Sequence, residues 1–386
     1  MDASSLIQHK LTISSAENYN ALLIGQYGSS YYLNKEVQEE SLRELYLLSD
    51  TAGIAHMQDL FFRAPNLDPA AFFSKGIIEI IENNIKEYNY NLLIIDAALR
   101  PVQLKNLEER FKVRVIGRIE LILDIFAMRA STKEAALQVE LAQLTYILPR
   151  LKGLGGVLSR LGGGIGTRGP GESMLETDRR HIRTRIQKIK KELKAVSKHR
   201  TNARKNRNIA TFALVGYTNA GKTSLVNSLS SSPKKLFAED RLFATLDSFS
   251  RKVYLGEIKR LPAYSVVTDT VGFIRNLPAS LVAAFHSTLE EIVYTDAIII
   301  VADASSPRLG EELEVVKEEL KKLKVDDKPR ILFFNKSDLV FTDDRERLSK
   351  KYPEAVWGNS ITKEGVFALR ERLFKFYKKF SKERNR

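Results

Sequence analysis

Gly216-Tyr217-Thr218-Asn219-Ala220-Gly221-Lys222-Thr223 fits the pattern G-x-x-x-x-G-K-[ST]. Its glycines let consecutive backbone N–H groups turn toward a phosphate chain. The loop follows the apolar run Ala210 to Val215 and precedes Ser224-Leu225-Val226-Asn227-Ser228-Leu229, which reads as a helix. That strand–loop–helix context is what the pattern needs. The helix N-terminus adds partial positive charge where phosphate would sit, with Ser224 in its first turn. Lys222 would reach the β- and γ-phosphates, and the Thr223 hydroxyl would take one Mg²⁺ position.

The partners of such a loop follow in order. Asp269-Thr270-Val271-Gly272 comes after the apolar stretch Tyr264-Ser265-Val266-Val267. An Asp at a strand end can hold Mg²⁺ through water, and the Gly272 N–H can bind a γ-phosphate oxygen. Thr245, in Phe243-Ala244-Thr245-Leu246-Asp247, is the candidate switch threonine for Mg²⁺ and the γ-phosphate. Arg330-Ile331-Leu332-Phe333-Phe334 leads into Asn335-Lys336-Ser337-Asp338. The Asp338 carboxylate can accept from both N1–H and the 2-amino group of guanine. Adenine lacks both donors, so Asp338 would select GTP. Ser360, after Ala355-Val356-Trp357, is placed to support the base. The catalytic expectation is Lys222, Thr245 and Gly272. The metal expectation is Thr223, Thr245 and Asp269.

The elements that must position these residues belong to a chain of 386 residues, enough for two or three domains. A hydrophobic content of 44% with 28% charged residues describes a soluble globular protein. Lys and Arg exceed Asp and Glu by 61 − 47 = 14, an excess that points to a polyanion, most simply nucleic acid. The chain has no cysteine, which excludes disulfides, iron–sulfur clusters and thiol catalysis. Its histidines, His9, His56, His181, His199 and His286, are scattered, which argues against a structural zinc site. Met1 to Lys10 carries no signal-peptide pattern, and no apolar run approaches the ~20 residues of a membrane helix. A cytoplasmic location, no membrane span and a monomer are the resulting expectations.

The chain reads as α/β in three parts. Residues 1–130 alternate strand-like runs, Ala21 to Ile24 and Leu92 to Ile95, with helical patterns at Glu36 to Leu48, Lys75 to Tyr88 and Val102 to Phe111, forming a small α/β domain. Residues 131–208 read as an antiparallel helical hairpin. Leu137, Leu141, Leu144, Leu148 and Leu151 make one seven-residue seam; Leu175, Ile182, Ile186, Ile189, Leu193 and Val196 make the other. Glu172 to Arg207 contains no Gly or Pro, so a continuous helix there would run about 54 Å at ~1.5 Å per residue. Arg179 to Arg207 holds thirteen Lys or Arg and one acid, Glu192, where a merely solvated face would balance its signs. The glycine-rich tip at 153–171 reads as a segment that orders on a partner, a second phosphate loop, or a connector. No buried strand precedes it and no G-K-[ST] follows, as a phosphate loop would require. Residues 209–386 form a P-loop, Ras-like GTPase domain with another buried strand at Ala297 to Asp303. Its end, Arg370 to Arg386, carries eight Lys or Arg against two Glu.

Gly162-Gly163-Gly164-Ile165-Gly166-Thr167-Arg168-Gly169-Pro170-Gly171-Glu172, followed by Glu176-Thr177-Asp178-Arg179-Arg180, closely resembles the signature of the HflX GTPases. So do Leu121 to Ala127 with Leu137 to Leu144, and the switch region Asp269 to Arg275 with Thr288-Leu289-Glu290-Glu291. The resemblance is good from about 115 to 386 and weaker before. It implies a GTPase, with Mg²⁺, that binds the large ribosomal subunit and its rRNA and splits or rescues stalled ribosomes under stress. The hairpin and its tip would reach toward the peptidyl-transferase centre. Phosphate contacts would give strong salt dependence, and structured RNA would be read by shape. Phe72-Phe73-Ser74-Lys75-Gly76 and Asp96 to Pro101 depart from the family pattern, where some members are thought to bind ATP.

Ras-like enzymes orient the attacking water with a Gln after D-x-x-G; Phe273 stands there. Slow intrinsic turnover, completed by the ribosome, is one expectation; a ring that simply packs in the switch is another, and the two are compatible. Asn219 suits K⁺ binding, so K⁺ is a second candidate ion, as is a purely structural Asn. Trp357 reads as core, and His286 has no defined partner that would make it a base. Three functions fit: a ribosome-dependent GTPase, an RNA-remodelling NTPase with a second nucleotide site in 1–130, and a non-catalytic GTP-gated RNA-binding module.

Overall fold

The structure is a computed structural model that describes residues 19–54, 56–151, 170–205, 209–230, 243, 249–274 and 291–384. It divides into two compact units, Met1–Met128 with Ala136–Glu192, and Arg129–Ala135 with Leu193–Arg386.

The first unit holds a four-stranded parallel sheet in the order β2-β1-β3-β4: β1 (Asn20–Tyr27), β2 (His56–Arg63), β3 (Leu92–Ile95) and β4 (Arg114–Gly117). Strands covered on both faces read as continuous apolar runs, and β1 and β3 do so. The connecting helices are α1 (Lys35–Thr51), α2 (Lys75–Tyr88) and α3 (Pro101–Phe111). Asn34 caps α1, its Oδ1 accepting from the N–H groups of Glu36 (2.9 Å) and Val37 (3.3 Å). Pro101 opens α3, where its missing N–H costs nothing. β2 is an edge strand of mixed residues, His-Met-Gln-Asp-Leu-Phe-Phe-Arg, so it shows no apolar run.

Helix α4 (Arg118–Arg129) follows β4 directly and is buried from Arg118 through Phe126. Arg118 sits between two carboxylates, Glu44 and Asp96, at 3.0 Å each. α5 (Lys133–Ile147) buries its seam residues Leu137, Leu141 and Leu144. It also buries Gln138, Val139, Ala142 and Tyr146, so its buried face is broader than a coiled-coil seam. The Tyr146 hydroxyl bonds the buried carboxyl of Glu120, whose pKa burial pushes up, and the Arg150 guanidinium lies 3.4 Å over the Tyr146 ring. α6 (Pro170–Lys205) is one helix of 36 residues. Ile182, Ile189 and Leu193 are buried along it, and Arg185 forks onto Glu140 of α5 through two 2.6 Å bonds. The glycine-rich stretch 152–169 lies outside the described residues.

The second unit holds a six-stranded sheet in the order β10-β9-β8-β5-β7-β6. Its strands are β5 (Thr211–Val215), β6 (Phe249–Ile258), β7 (Leu261–Asp269), β8 (Ala297–Asp303), β9 (Arg330–Asn335) and β10 (Val356–Trp357); only β6 runs antiparallel, on β7. One core, including Phe212, Leu214, Val253, Val267, Phe333, Leu369 and Leu373, joins the sheet to α7 (Lys222–Leu229) and α10 (Val366–Arg384). A second, with Ala213, Val215, Ile298 and Phe273, takes α8 (Leu309–Lys322). α9 (Thr342–Lys351) precedes β10.

Candidate functional site

The site gathers at the carboxyl ends of β5, β7, β8 and β9. A parallel α/β sheet binds its ligand there, because loops and helix N-termini converge at that edge. β5 is central, flanked by β8 and β7, and gives way at Val215 to the loop Gly216 to Gly221. Asn219 (φ 62°) and Gly221 (φ 86°) are both left-handed, which reverses the chain into α7. The first bond of that helix runs from the Leu225 N–H to the Gly221 carbonyl at 2.9 Å. The N–H groups of Lys222, Thr223 and Ser224 therefore lie in the first turn, where helical donors have no helical acceptor.

Lys222 is 6% exposed and donates from Nζ to the carbonyls of Gly216 (3.2 Å) and Tyr217 (2.8 Å). Burial lowers its pKa to about 8, while the Asp269 charge works the other way. The Thr223 hydroxyl donates to Asp269 Oδ2 at 2.7 Å, and both residues are buried. A hydroxyl and a carboxylate held together by a helix and a strand end form a donor set that suits a hard, oxygen-seeking cation.

The strand end and the phosphate loop are stitched together. The Thr270 hydroxyl donates to the Leu214 carbonyl at 2.5 Å. The Phe273 N–H donates to the Gly216 carbonyl (3.0 Å), and the Thr218 N–H to the Phe273 carbonyl (2.8 Å). Gly272 lies between these bonds. A Cβ there would stand 2.8 Å from Lys222 Nζ and 2.8 Å from the Thr218 Cα, so no side chain fits. The Phe273 ring turns away into the core beside Val215, Ile292 and Ile298. The ring packs, and it offers no polar atom to orient a water.

Asn335 bridges two loops. Its Nδ2 donates to the Ala220 carbonyl at 2.8 Å, and its Oδ1 accepts from the Ser360 N–H at 2.9 Å. Lys336 (φ 57°) pairs with Asp303 at 2.8 Å. Asp338 is exposed in a single 3-10 turn, Ser337–Leu339, and accepts from Asn359 Nδ2 at 2.6 Å. Asn359 in turn accepts from the N–H groups of Ile361 (2.7 Å) and Thr362 (3.1 Å). The Ser228 hydroxyl bonds the Ser360 carbonyl, tying that loop to α7. Trp357 packs on Phe334 at 4.9 Å, as core.

The structure thus brings Gly216 to Ser224, Asp269, Gly272, Asn335, Lys336, Asp338 and Ser360 to one sheet edge. Thr245, His286 and Thr288 to Glu290 lie outside the described residues. Asn359 and Asp303 belong to none of the motifs. Asn359 stands immediately before Ser360, and Asp303 ends β8. Position at a strand end was the signal available for both. In the first unit, Asp96 is paired with Arg118, and Phe72 and Phe73 are buried in the core.

Comparison with known proteins gives the same reading. Family models described as GTP-binding GTPase N-terminal, GTP-binding GTPase Middle Region and 50S ribosome-binding GTPase match residues 39–127, 129–207 and 211–336. The GTPase HflX of Caldanaerobacter subterraneus subsp. tengcongensis is 48% identical over 305 residues, 78% of this chain and 70% of that protein. That of Escherichia coli (strain K12) is 39% identical over 351 residues, 89% of this chain and 81% of that one. The crystal structure of SsGBP in complex with GDP aligns with a TM-score of 0.51 at 27% identity, covering 94% of this chain and 99% of that chain. With relatives of this identity along most of its length, the chain belongs to the HflX family of GTPases.

Proposed function

We propose that this GTPase acts on the large ribosomal subunit, in the cytoplasm, and splits or rescues stalled ribosomes under stress. Hydrolysis of GTP is the activity of the family. The ribosomal target is supported by the relatives and by the basic helix α6, on which Arg180, Arg183, Lys188, Lys190, Lys191 and Lys194 are exposed. In this reading the chain has three working parts: 1–130, the hairpin 131–208 with its tip at 153–171, and 209–386.

The observation that carries the catalytic assignment is Lys222. It is buried against its own loop carbonyls beside Gly272, with Asp269 as its nearby negative charge. Nucleotide binding exchanges those carbonyls for β- and γ-phosphate oxygens. The first-turn N–H groups of α7 hold the same phosphates. The Gly272 N–H faces the γ-phosphate, and Thr245 is assigned with it. Thr223, Asp269 and Thr245 would hold Mg²⁺, which supplies neutralisation of the charge that develops on the phosphate oxygens. Asp338, steadied by Asn359, reads guanine, with Ser360 above it and Lys336 and Asn335 shaping the pocket. With the Phe273 ring in the core, the chain's own residue after Gly272 orients no water. The activating group is then supplied or ordered by the ribosome.

The test is GTP turnover by the protein with and without purified large subunits, alongside Lys222→Ala. Strong stimulation that the variant loses is expected. Binding without stimulation, or turnover as fast in the free protein, would overturn the ribosome-activated mechanism.

A further inference from the structure

The β6–β7 hairpin makes an unusual choice at its tip. Ile258 pairs with Leu261, so the connection is two residues, Lys259 and Arg260, with φ of 51° and 65°. A two-residue turn with both φ values positive is built for Asn-Gly or Asp-Gly. Residues with a Cβ are strained in that region. Backbone strain of this kind is a pointer to use. Here the strain keeps two cations, both exposed, at the tip of the hairpin.

The tip belongs to a larger surface. On one face of the hairpin Lys252 lies 3.9 Å over the Tyr264 ring, and Tyr254 meets Tyr264 edge-on at 5.7 Å. On the other side α10 packs against β6, with Phe374 3.1 Å from where a Gly256 Cβ would be. α10 is anchored by Val366, Leu369 and Leu373 and by the stacked pair Phe376 and Phe380. Its opposite face shows Lys375, Lys378, Lys379 and Lys382, with Lys378 4.2 Å over the Phe374 ring. None of these lysines, nor Lys252, Lys259 or Arg260, forms a salt bridge among the described residues. Lysines 375, 378 and 382 follow one helical face and span about 10 Å at ~1.5 Å per residue.

We propose that this surface, the Lys259-Arg260 tip with the lysine face of α10, is a second RNA-binding face, carried by the GTPase unit itself and contacting the phosphate backbone of structured RNA. The proposal rests on the ribosomal reading above and adds a contact to it. The cations are carried by the edge strand's hairpin and by the helix packed against that strand at Gly256, an arrangement of several separate charges that suits successive phosphates and not one acidic side chain. Lys252, on the opposite face of the hairpin, is held over the Tyr264 ring and stands outside this surface.

The test exploits the strained turn. Lys259→Asn with Arg260→Gly removes both charges and installs the residues the turn prefers. A merely structural role would then leave RNA binding unchanged or improved. The expected result is an unchanged or higher melting temperature, unchanged GTP turnover in the free protein, and about tenfold weaker binding to purified large subunits with a non-hydrolysable GTP analogue. The slope of log affinity against log salt should fall by about 1 for each lost phosphate contact. Lys375→Gln, Lys378→Gln and Lys382→Gln together should act the same way. Equal affinity and slope for variant and wild type would overturn the proposal. If the wild type binds no large subunits, the ribosomal reading fails separately, and the comparison is made on an RNA hairpin of about 20 base pairs. Equal binding there overturns the RNA face as well. A loss confined to vesicles of phosphatidylserine and phosphatidylcholine would assign the surface to a membrane and also overturn it.

Discussion

Asn335 and Gly221 should behave as one unit, and a double-mutant cycle in nucleotide affinity would show it. Asn335→Ala strands two groups, the Ala220 carbonyl and the Ser360 N–H, which now pair with its amide at 2.8 and 2.9 Å. Leaving a buried backbone group unpaired costs about 1–3 kcal/mol. Part of that falls on the free protein as well as the complex, so about 3 kcal/mol in all, or about 100-fold in Kd for GDP, is the expected loss. Gly221→Ala has two separate costs. The left-handed φ of 86° costs an L-residue about 1–2 kcal/mol. The new Cβ also stands 2.1 Å from Asn335 Nδ2 and must push the amide off the Ala220 carbonyl, for about 2 kcal/mol more. Only the second cost needs Asn335. In the double variant it vanishes, so the pair should fall short of additivity by about 2 kcal/mol, roughly 30-fold in Kd. Titration with a fluorescent GDP derivative reads all four proteins on one scale. Additivity within about 0.5 kcal/mol would refute the claim that the amide of Asn335 occupies the space above Gly221 and holds the phosphate loop to the base loop.

Lys222 should exchange a proton with its ligand. Its pKa falls from 10.5 to about 8 on folding, so between those values the unfolded chain binds more protons and stability rises with pH; below pH 8 the burial penalty is felt in full. A bound phosphate restores the charge, so GDP binding at pH 8 should take up about half a proton, and far less at pH 6.5. Calorimetry in two buffers of different ionisation enthalpy measures this; no uptake at pH 8, or the same uptake in Lys222→Ala, refutes it. Phe273→Gln should not speed GTP turnover in the free protein, because that side chain points into the core beside Ile292 and Ile298, where a Gln cannot reach water. A rise of tenfold or more would show that the segment turns outward. Asn219, half-buried at the left-handed bend of the phosphate loop, should make turnover faster in K⁺ than in Na⁺. Equal rates in the two salts, for wild type and for Asn219→Ala, would leave Asn219 a loop residue only.

What the sequence disclosed, and what it hid, follows from how each element is buried. Strands covered on both faces announce themselves as apolar runs: Ala21 to Ile24, Leu92 to Ile95 and Ala297 to Asp303 are strands where expected. The edge strand β2 did not, because a half-solvated strand needs no such run and its alternation is broken by Gln58 and Asp59. Helix α4 hid for the opposite reason. It is buried all round, so Leu121 to Phe126 has no polar face to supply a period, and length alone does not separate it from a strand. α5 was legible as a helix but not as a broadly buried one, since Gln138 looks like a solvent-facing residue and is fully buried.

The site divides along a different line. Residues whose backbone must approach a phosphate are legible, because only glycine tolerates what Gly221 and Gly272 are asked to do, and a fixed spacing records that demand. Residues that hold others in place leave no such mark. Asn335 was found through its motif, yet its observed bonds go to the Ala220 carbonyl and the Ser360 N–H. Asn359, which holds Asp338, and Asp303, which holds Lys336, are each separated from their partners by a helix and a strand, and many side chains could have stood there. The consequence is a ranking of sensitivities. Substitutions at the legible glycines should cost several kcal/mol of binding, whereas those at Asn359 should act through Asp338, which is exposed and shares its charge with water. Asn359→Ala should therefore weaken guanine nucleotides by about 1 kcal/mol, roughly fivefold, and lower the preference for GTP over ATP, while leaving phosphate contacts and turnover at saturation nearly unchanged. A change in turnover without a change in nucleotide preference would mean that Asn359 serves the Ile361–Thr362 turn and not the Asp338 carboxylate.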